Sequence, residues 1–486
     1  MMNMKPDESN QKLVEDILNA PSESQTLEFK RLADEKVVAK TVETVVAMAN
    51  TEGGVIVLGV DDPEKTKLHG IDRIFGIDEQ VEVFDALGRE IHKIVSPMSG
   101  IWPPQIVEVN NVKRIGLLSV PKASANFHSI NNHVYVRAEK SNRQLNAHEV
   151  INFAYAKGFE KADKALVNVD FTLLNTPFFH EWKNARNIKE DALEVALEKT
   201  GLARKDSDGH LKPTLAAVLL FAEFPNDLTE TKCAIRVLQY TGTIETIGET
   251  PNLIGLPKTI QGALIKQIAD AHDYVLNLLR AGIQIPSGFK NVYRIPERAV
   301  KEAITNAVIH RDYYKKRDIE IKIFQDRIEV ESPGLFPYNI TRSNIGWVRA
   351  EGYRNDLLVK HLREFPAPPN LDQNEGVRAM RQEMMSQNLY PPIFFSYPLY
   401  QDSVKVVLLN EHRPSEWEKI SEYLLENKYI VNQKAREITG IVQRDKMARI
   451  LKNWVKQGLL IQIVPSSGFM KGTRYRLPDS SEVASK

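Results

Sequence analysis

A single cysteine in 486 residues, Cys233, leaves no partner for an internal disulfide and no thiolate set for a zinc cluster, and it suits a reducing compartment. Net charge is also nearly absent, because 64 Lys and Arg stand against 63 Asp and Glu, a formal +1. No global field therefore draws in nucleic acid or a membrane surface, and any such binding has to come from local asymmetry. Long apolar runs are missing too: the longest, Leu215 to Ala222, falls far short of a bilayer span, and the first residues lack the apolar core of a signal peptide. What remains, 42% hydrophobic and 26% charged residues, describes a folded protein of two to four domains, expected in the cytoplasm and without a membrane partner.

The most pointed polar pattern lies between Arg294 and Tyr313. Pro296 suits a first helical turn, and Ala299, Ala303 and Ala307 mark a small apolar stripe. Glu302, Asn306 and His310 follow at i, i+4 and i+8 and share one face of the predicted helix. A carboxylate, an amide and an imidazole in line point to chemistry, although a solvated polar stripe has the same spacing. Downstream, Asp318 to Glu331 alternates as two strands about a Gln325-Asp326 turn, and Ser332 to Pro337 breaks the pattern.

Nearer the amino terminus, Glu23 to Lys30 alternates like a strand, and Val38, Val42, Val45, Val46 and Ala49 predict a helix over 35–49. Gly53-Gly54 ends it, and Val55 to Val60 reads as a buried strand that delivers Asp61 and Asp62 at its end. Carboxylates at a strand end converge without deep burial, which suits a divalent cation. The pattern Glu23…Leu-Glu28-Phe-Lys30, then Ala49-Asn-Thr-Glu-Gly-Gly-Val-Ile-Val-Leu-Gly-Val-Asp-Asp62, with Tyr135-Val-Arg137 and Ser141-Asn-Arg143, resembles the Alba-like nucleic-acid-binding domain of Schlafen proteins and their bacterial relatives.

That resemblance implies a carboxylate trio of Glu23, Glu28 and Asp62 as both catalytic and metal-ligating, holding Mg²⁺ or Mn²⁺ for cleavage of RNA, transfer RNA included. Lys30, Arg31 and Arg137 would hold nucleic-acid phosphates. A structural Glu28–Lys30 ion pair in a domain that only binds nucleic acid remains the alternative.

The helix around Glu302, followed by a hairpin and a glycine turn, resembles the GHKL ATP-binding fold, in the variant fused to Schlafen domains in bacterial regulators. By that resemblance Glu302 polarises the attacking water and Asn306 ligates Mg²⁺, with His310 and Arg311 belonging to the variant's own signature. Glu331 and Gly334 would stand in the adenine-reading segment and Gly376 in the lid, so ATP and a divalent metal are the implied cofactors. Both segments depart from the usual pattern, with Glu331-Ser-Pro-Gly334 in place of Asp-x-Gly-x-Gly and one lid glycine where two or three are usual.

From Pro414 three predicted helices, over 416–426, 431–439 and 443–457, precede two short strands, an order that resembles a winged helix-turn-helix. Eleven Lys or Arg against two acids between Lys428 and Leu477 give the local asymmetry that the whole chain lacks, and Arg444, Lys446, Arg449, Lys452, Lys471 and Arg474 are the expected nucleic-acid contacts. A protein-docking winged helix is the alternative.

The expected fold is thus α/β, or α+β across several domains. An extension at 1–16 precedes an Alba-like Schlafen domain at 17–150. An α/β connector spans 151–290, with a strand near 216–222 and a helix over 259–279. A GHKL-like domain at 291–412, a winged helix at 413–478 and a tail at 479–486 complete it. The resemblance as a whole implies an ATP-regulated nucleic-acid-processing protein that binds RNA or DNA, forms homo-oligomers and keeps company with bacterial antiphage defence. An ATP-sensing DNA-binding transcriptional regulator without nuclease activity is the alternative.

Overall fold

The computed structural model describes the chain except residues 1–19, 21, 110–112, 125, 247–251, 285–289, 370–375, 398, 464–472 and 479–486. It is a mixed α/β chain that divides into two compact units, residues 1–151 with 414–486, and residues 152–413.

In the amino-terminal part of the first unit, β1 (Leu27–Lys30), α1 (Lys36–Asn50), β2 (Gly54–Leu58), α2 (Val81–Ile91), β3 (Gln105–Val109) and β4 (Lys113–Val120) build a sheet in the order β1-β2-β4-β3. β1 and β2 run parallel, and the other pairs are antiparallel. Strand alternation decides what each face carries. Leu27, Phe29 and Val57 pack on one side with Ile115 and Leu117. Ile56, Leu58 and Leu118 pack on the other against Val38, Val42 and Val45 of α1. Glu28 and Lys30 therefore point to the helix side. A hairpin of β5 (Tyr135–Ala138) and β6 (Ser141–Gln144) brings Arg137 to the same place.

The second unit is organised by a six-stranded sheet. Its strands are β7 (Ile235–Gln239), β8 (Lys258–Ile260), β9 (Ile319–Ile323), β10 (Arg327–Pro333), β11 (Ile393–Phe395) and β12 (Ser403–Leu409), in the order β8-β7-β9-β10-β12-β11. β7 and β9 are parallel and the remaining pairs antiparallel. The sheet thus takes two strands from the stretch read as a connector, and one hydrophobic core runs through both stretches. Helices α3 (Leu215–Phe221), α4 (Leu264–Ala281), α5 (Glu297–His310), α6 (Asp356–Leu362) and α7 (Gly376–Ser386) belong to this unit.

The run at 215–221 corrects the expected strand. All seven residues are buried, and Thr214 caps the helix by accepting the Ala217 N–H at 3.3 Å. An apolar run buried on all sides has no period to reveal its type, so the cap is the informative residue.

From Pro414 onward, α8 (Ser415–Glu426), α9 (Asn432–Thr439) and α10 (Arg444–Lys456) accompany a small antiparallel sheet. Its strands β13 (Ile430–Val431), β14 (Ile461–Ile463) and β15 (Arg474–Arg476) lie in the order β13-β15-β14. Helical spacing puts Met447, Ile450, Leu451 and Trp454 of α10 on one core face; Met447, Leu451 and Trp454 are buried and Ile450 is half-buried.

Candidate nucleotide and cation sites

Helix α5 starts after Pro296 and buries Ala299, Val300, Ala303, Ile304, Ala307 and Val308. The face left over carries Arg298, Glu302, Asn306 and His310, and all four line a cavity of about 530 Å³. The opposite wall is apolar and includes Val330, Phe336, Phe394, Val404 and Val406. Gly376, the first residue of α7, closes one end. A Cβ there would lie 2.5 Å from Glu302 Oε2 and 3.5 Å from Asn306 Nδ2, so any larger residue would have to displace the Glu302 carboxylate.

Two buried polar atoms on this wall, Asn306 Nδ2 and His310 Nδ1, have no partner among the described residues. Burial pushes the Glu302 carboxyl above the usual carboxylate range, with Arg298 pulling the other way. Burial, helped by the Arg354 guanidinium, lowers His310 to about 4, so its ring is neutral at physiological pH. The ring stacks on Tyr353 at 5.4 Å and 15°.

The end of α5 is held by Arg354, which also lines the cavity, and by Asn355. Arg354 donates to the His310 carbonyl at 2.6 Å and also to those of Ala156 and Leu335. Asn355 Nδ2 donates to the Ile309 and Arg311 carbonyls at 3.0 and 2.8 Å. Arg354 and Asn355 therefore cap carbonyls that the helix cannot satisfy itself.

Three expected nucleotide contacts lie elsewhere. Arg311 is buried, and its guanidinium donates to the carbonyls of Lys232, Lys315 and Arg317, which fastens a loop. Glu331 points away from the cavity because alternation along β10 turns Val330 and Ser332 inward. Its carboxylate accepts from Ser403 Oγ at 2.9 Å and lies 3.4 Å from Lys405. Gly334, at φ 113°, makes room for Arg354, whose guanidinium a Cβ would strike. Arg298 and Ser332 join the cavity without having been singled out for it, although Arg298 sits one turn before Glu302 on the same stripe.

In the Schlafen-like region, Glu23, Glu28 and Asp62 are all buried. Each meets a cation of the chain. Glu28 pairs with Lys30 and with Arg137, and Lys65 Nζ lies 2.6 Å from Asp62 and 4.0 Å from Glu23. Lys65 is 74% exposed and free to leave, whereas Lys30 and Arg137 are 15% and 1% exposed and built in.

The Glu23 carboxyl is raised by burial, then by the charges of Glu28 and Asp62, against the Phe29 N–H that it accepts at 3.1 Å. Three oxygen donors with one under-neutralised member suit a hard divalent cation in chemical type. Their spacing is looser than a formed metal site. Among the described residues, only Asp206, Asp208 and His210 bring three ligand atoms within 4.8 Å of one another, in an exposed hairpin turn that Asp206 caps by accepting the Asp208 and His210 N–H groups.

The expected phosphate contacts divide sharply. Arg137 is a buried structural cation that bonds Glu28, the Ser24 carbonyl and Asn142, so it is not a surface contact. Lys30 is committed to Glu28, supporting the alternative of a structural pair. Arg31 lies over the Phe75 ring at 3.3 Å and chelates Glu79. By contrast, Arg444, Lys446, Arg449 and Lys452 are exposed on α10 without an ion pair among the described residues. Arg474 lies 5.9 Å from the Tyr429 ring. Lys471 lies outside the described residues. No described helix is long and apolar enough to cross a membrane.

Residues 23–146 match the family model "Schlafen, AlbA_2". Residues 316–408 match the model described as "Putative ATP-dependent DNA helicase recG C-terminal", a span that begins after α5. The curated proteins contain no match. Among solved structures, the DIP2311 protein from Corynebacterium diphtheriae is similar at 17% identity and a TM-score of 0.38, covering 98% of this chain and 85% of that one. The chain therefore carries a Schlafen AlbA_2 domain and, towards its carboxyl end, an ATPase-like domain of the RecG carboxy-terminal kind.

Proposed function

We propose that this chain is a nucleic-acid-binding protein whose state is set by a nucleoside triphosphate held against the Glu302–Asn306–His310 face. The observation that carries this reading is the pair of unpartnered buried nitrogens, Asn306 Nδ2 and His310 Nδ1, on the wall of a ligand-sized cavity. Leaving such groups unpaired costs about 1–3 kcal/mol each, and a ligand recovers that cost. Amide N and O are interchangeable by rotation, so the same side chain offers Mg²⁺ an oxygen. Mg²⁺ would neutralise triphosphate charge. Asn306 would hold it, Glu302 would orient water, and Gly376 would let the start of α7 approach the phosphates.

Nucleic acid would be bound by the AlbA_2 domain and by the carboxy-terminal helices and strands acting as a winged helix, with α10 presenting Arg444, Lys446, Arg449 and Lys452 to the groove. In this reading the GHKL-like domain begins near residue 235, where its sheet begins.

Titration with a fluorescent ATP analogue and Mg²⁺ tests the nucleotide claim. Saturable binding that Asn306→Ala weakens about tenfold or more supports it. No binding, or binding indifferent both to Asn306→Ala and to removal of Mg²⁺, overturns it.

One observation favours a second activity, cleavage of a phosphodiester at Glu23, Glu28 and Asp62. The Glu23 carboxyl is raised partly by the other two carboxylates, a charge excess that a divalent cation relieves. Incubation with transfer RNA and with DNA in Mn²⁺ or Mg²⁺ tests it. Cleavage lost in Asp62→Asn supports it, and no cleavage, or equal cleavage by that variant, removes it.

A further inference from the structure

We infer that His310 reads the edge of the base, and that the cavity takes purine nucleotides bearing either an amino or an oxo group at the six-position. This inference rests on the nucleotide reading above.

The cavity has a polar half and an apolar half. Arg298, Glu302 and Asn306 lie on successive turns of α5 before its last one, and Gly376 closes in on the last two of them. Around the last turn the walls are Ala307, Val330, Leu335, Phe336 and the sheet residues Val404 and Val406. A flat base fits the second half and a charged tail the first.

Few polar side chains serve the apolar half. Ser332 spends its hydroxyl proton on the Ala307 carbonyl at 2.8 Å. Arg354 is turned onto backbone carbonyls. Glu331 faces the other side of the sheet, bonded to Ser403. That leaves Arg354 Nε, which can only donate, and the stacked pair His310 and Tyr353; of these, His310 Nδ1 is buried and has no partner among the described residues, and its ring is fixed by the stacking.

The chemistry of the group sets the selectivity. A carboxylate only accepts, so it would favour an amino group and repel a carbonyl. A neutral imidazole carries one donor and one acceptor nitrogen and exchanges them by tautomerism. It therefore meets a 6-amino group as acceptor and a 6-oxo group as donor, and it is left unpaired only by a purine with hydrogen at that position.

The test is competition against a fluorescent ATP analogue by ATP, inosine triphosphate and the triphosphate of unsubstituted purine riboside. The full chain should bind ATP and inosine triphosphate within about threefold, and the 6-hydrogen analogue about tenfold more weakly, the factor of one unpaired buried group. His310→Phe keeps an aromatic ring on Tyr353 and should erase that tenfold gap. His310→Gln, with a donor and an acceptor, should restore it in part, and a thermal melt of both variants confirms the fold.

A gap unchanged in His310→Phe, or equal affinity of the wild type for all three ligands, overturns the inference while leaving nucleotide binding in place. So does a strong preference for ATP over inosine triphosphate. Absence of any nucleotide binding by the wild type refutes the underlying reading instead.

Discussion

The carboxylate trio of the Schlafen domain and the α5 cavity are both polar clusters in a buried setting, yet they solve their electrostatics in opposite ways. At the trio the chain brings its own counter-charges, Lys30, Arg137 and Lys65, to Glu28 and Asp62. At the cavity Asn306 and His310 keep buried nitrogens without partners among the described residues, and no built-in counter-charge is paired with them. At the trio the one such atom, Arg137 Nε, belongs to a guanidinium already paired with Glu28. A cluster satisfied by built-in cations supports the fold first and binds a cation only where one of them, Lys65, swings out. A cluster with vacant hydrogen-bonding capacity is prepared for a ligand from outside.

Arg137→Met is the strongest way to break the contrast. It strips Glu28 of its most buried cation while preserving most of the bulk, and removing one partner of a buried pair costs about 3–5 kcal/mol. The AlbA_2 domain should lose stability on that scale in a denaturant titration, far more than a surface phosphate contact would. Melting indistinguishable from wild type would return Arg137 to the nucleic-acid surface.

At the cavity, Gly376→Ala should leave stability nearly unchanged, because the new Cβ meets the far end of a movable carboxylate. It should cost ATP affinity about tenfold, about 1.4 kcal/mol, by pushing Glu302 towards Asn306. Calorimetric titration reads the affinity and a melt reads the stability, so loss of both would mean that α7 is packed differently.

These predictions draw on features of uneven legibility. The α5 face was legible because helical spacing places 302, 306 and 310 together and the cavity needs little more than that line. The strand–helix–strand around Gly53-Gly54 was legible for a similar reason, since paired glycines stop a helix locally. Glu331 was misassigned through motif position, although alternation along β10 turns residues 330 and 332, and not 331, to the cavity. The burial of Arg137 had no local signal. It follows from a hairpin whose sequence is far from Glu28, at a separation of 109 residues. The helix at 215–221 hid behind its own uniform apolarity, and the sheet strands at 235–239 and 258–260 are separated by too many residues from β9 to be paired with it by pattern alone.

Glu23 offers the gentlest perturbation and the sharpest sign. Its carboxyl is raised above 4.5 by burial and by Glu28 and Asp62, so between that value and its raised one the folded chain binds more protons than the unfolded chain. Stability then falls as pH rises through the window, and the whole penalty is present above it. Glu23→Gln removes the charge but keeps an acceptor for the Phe29 N–H. It should therefore melt a few degrees higher than the parent near neutral pH, with the advantage shrinking as the pH falls towards about 4. Mn²⁺ should reverse the order. A cation stabilises the ionised trio in proportion to its occupancy, so the parent gains melting temperature with added metal and the variant does not. If Glu23→Gln melts lower than the parent at neutral pH without metal, the three carboxylates are not straining one another and the trio is a structural ion-pair network.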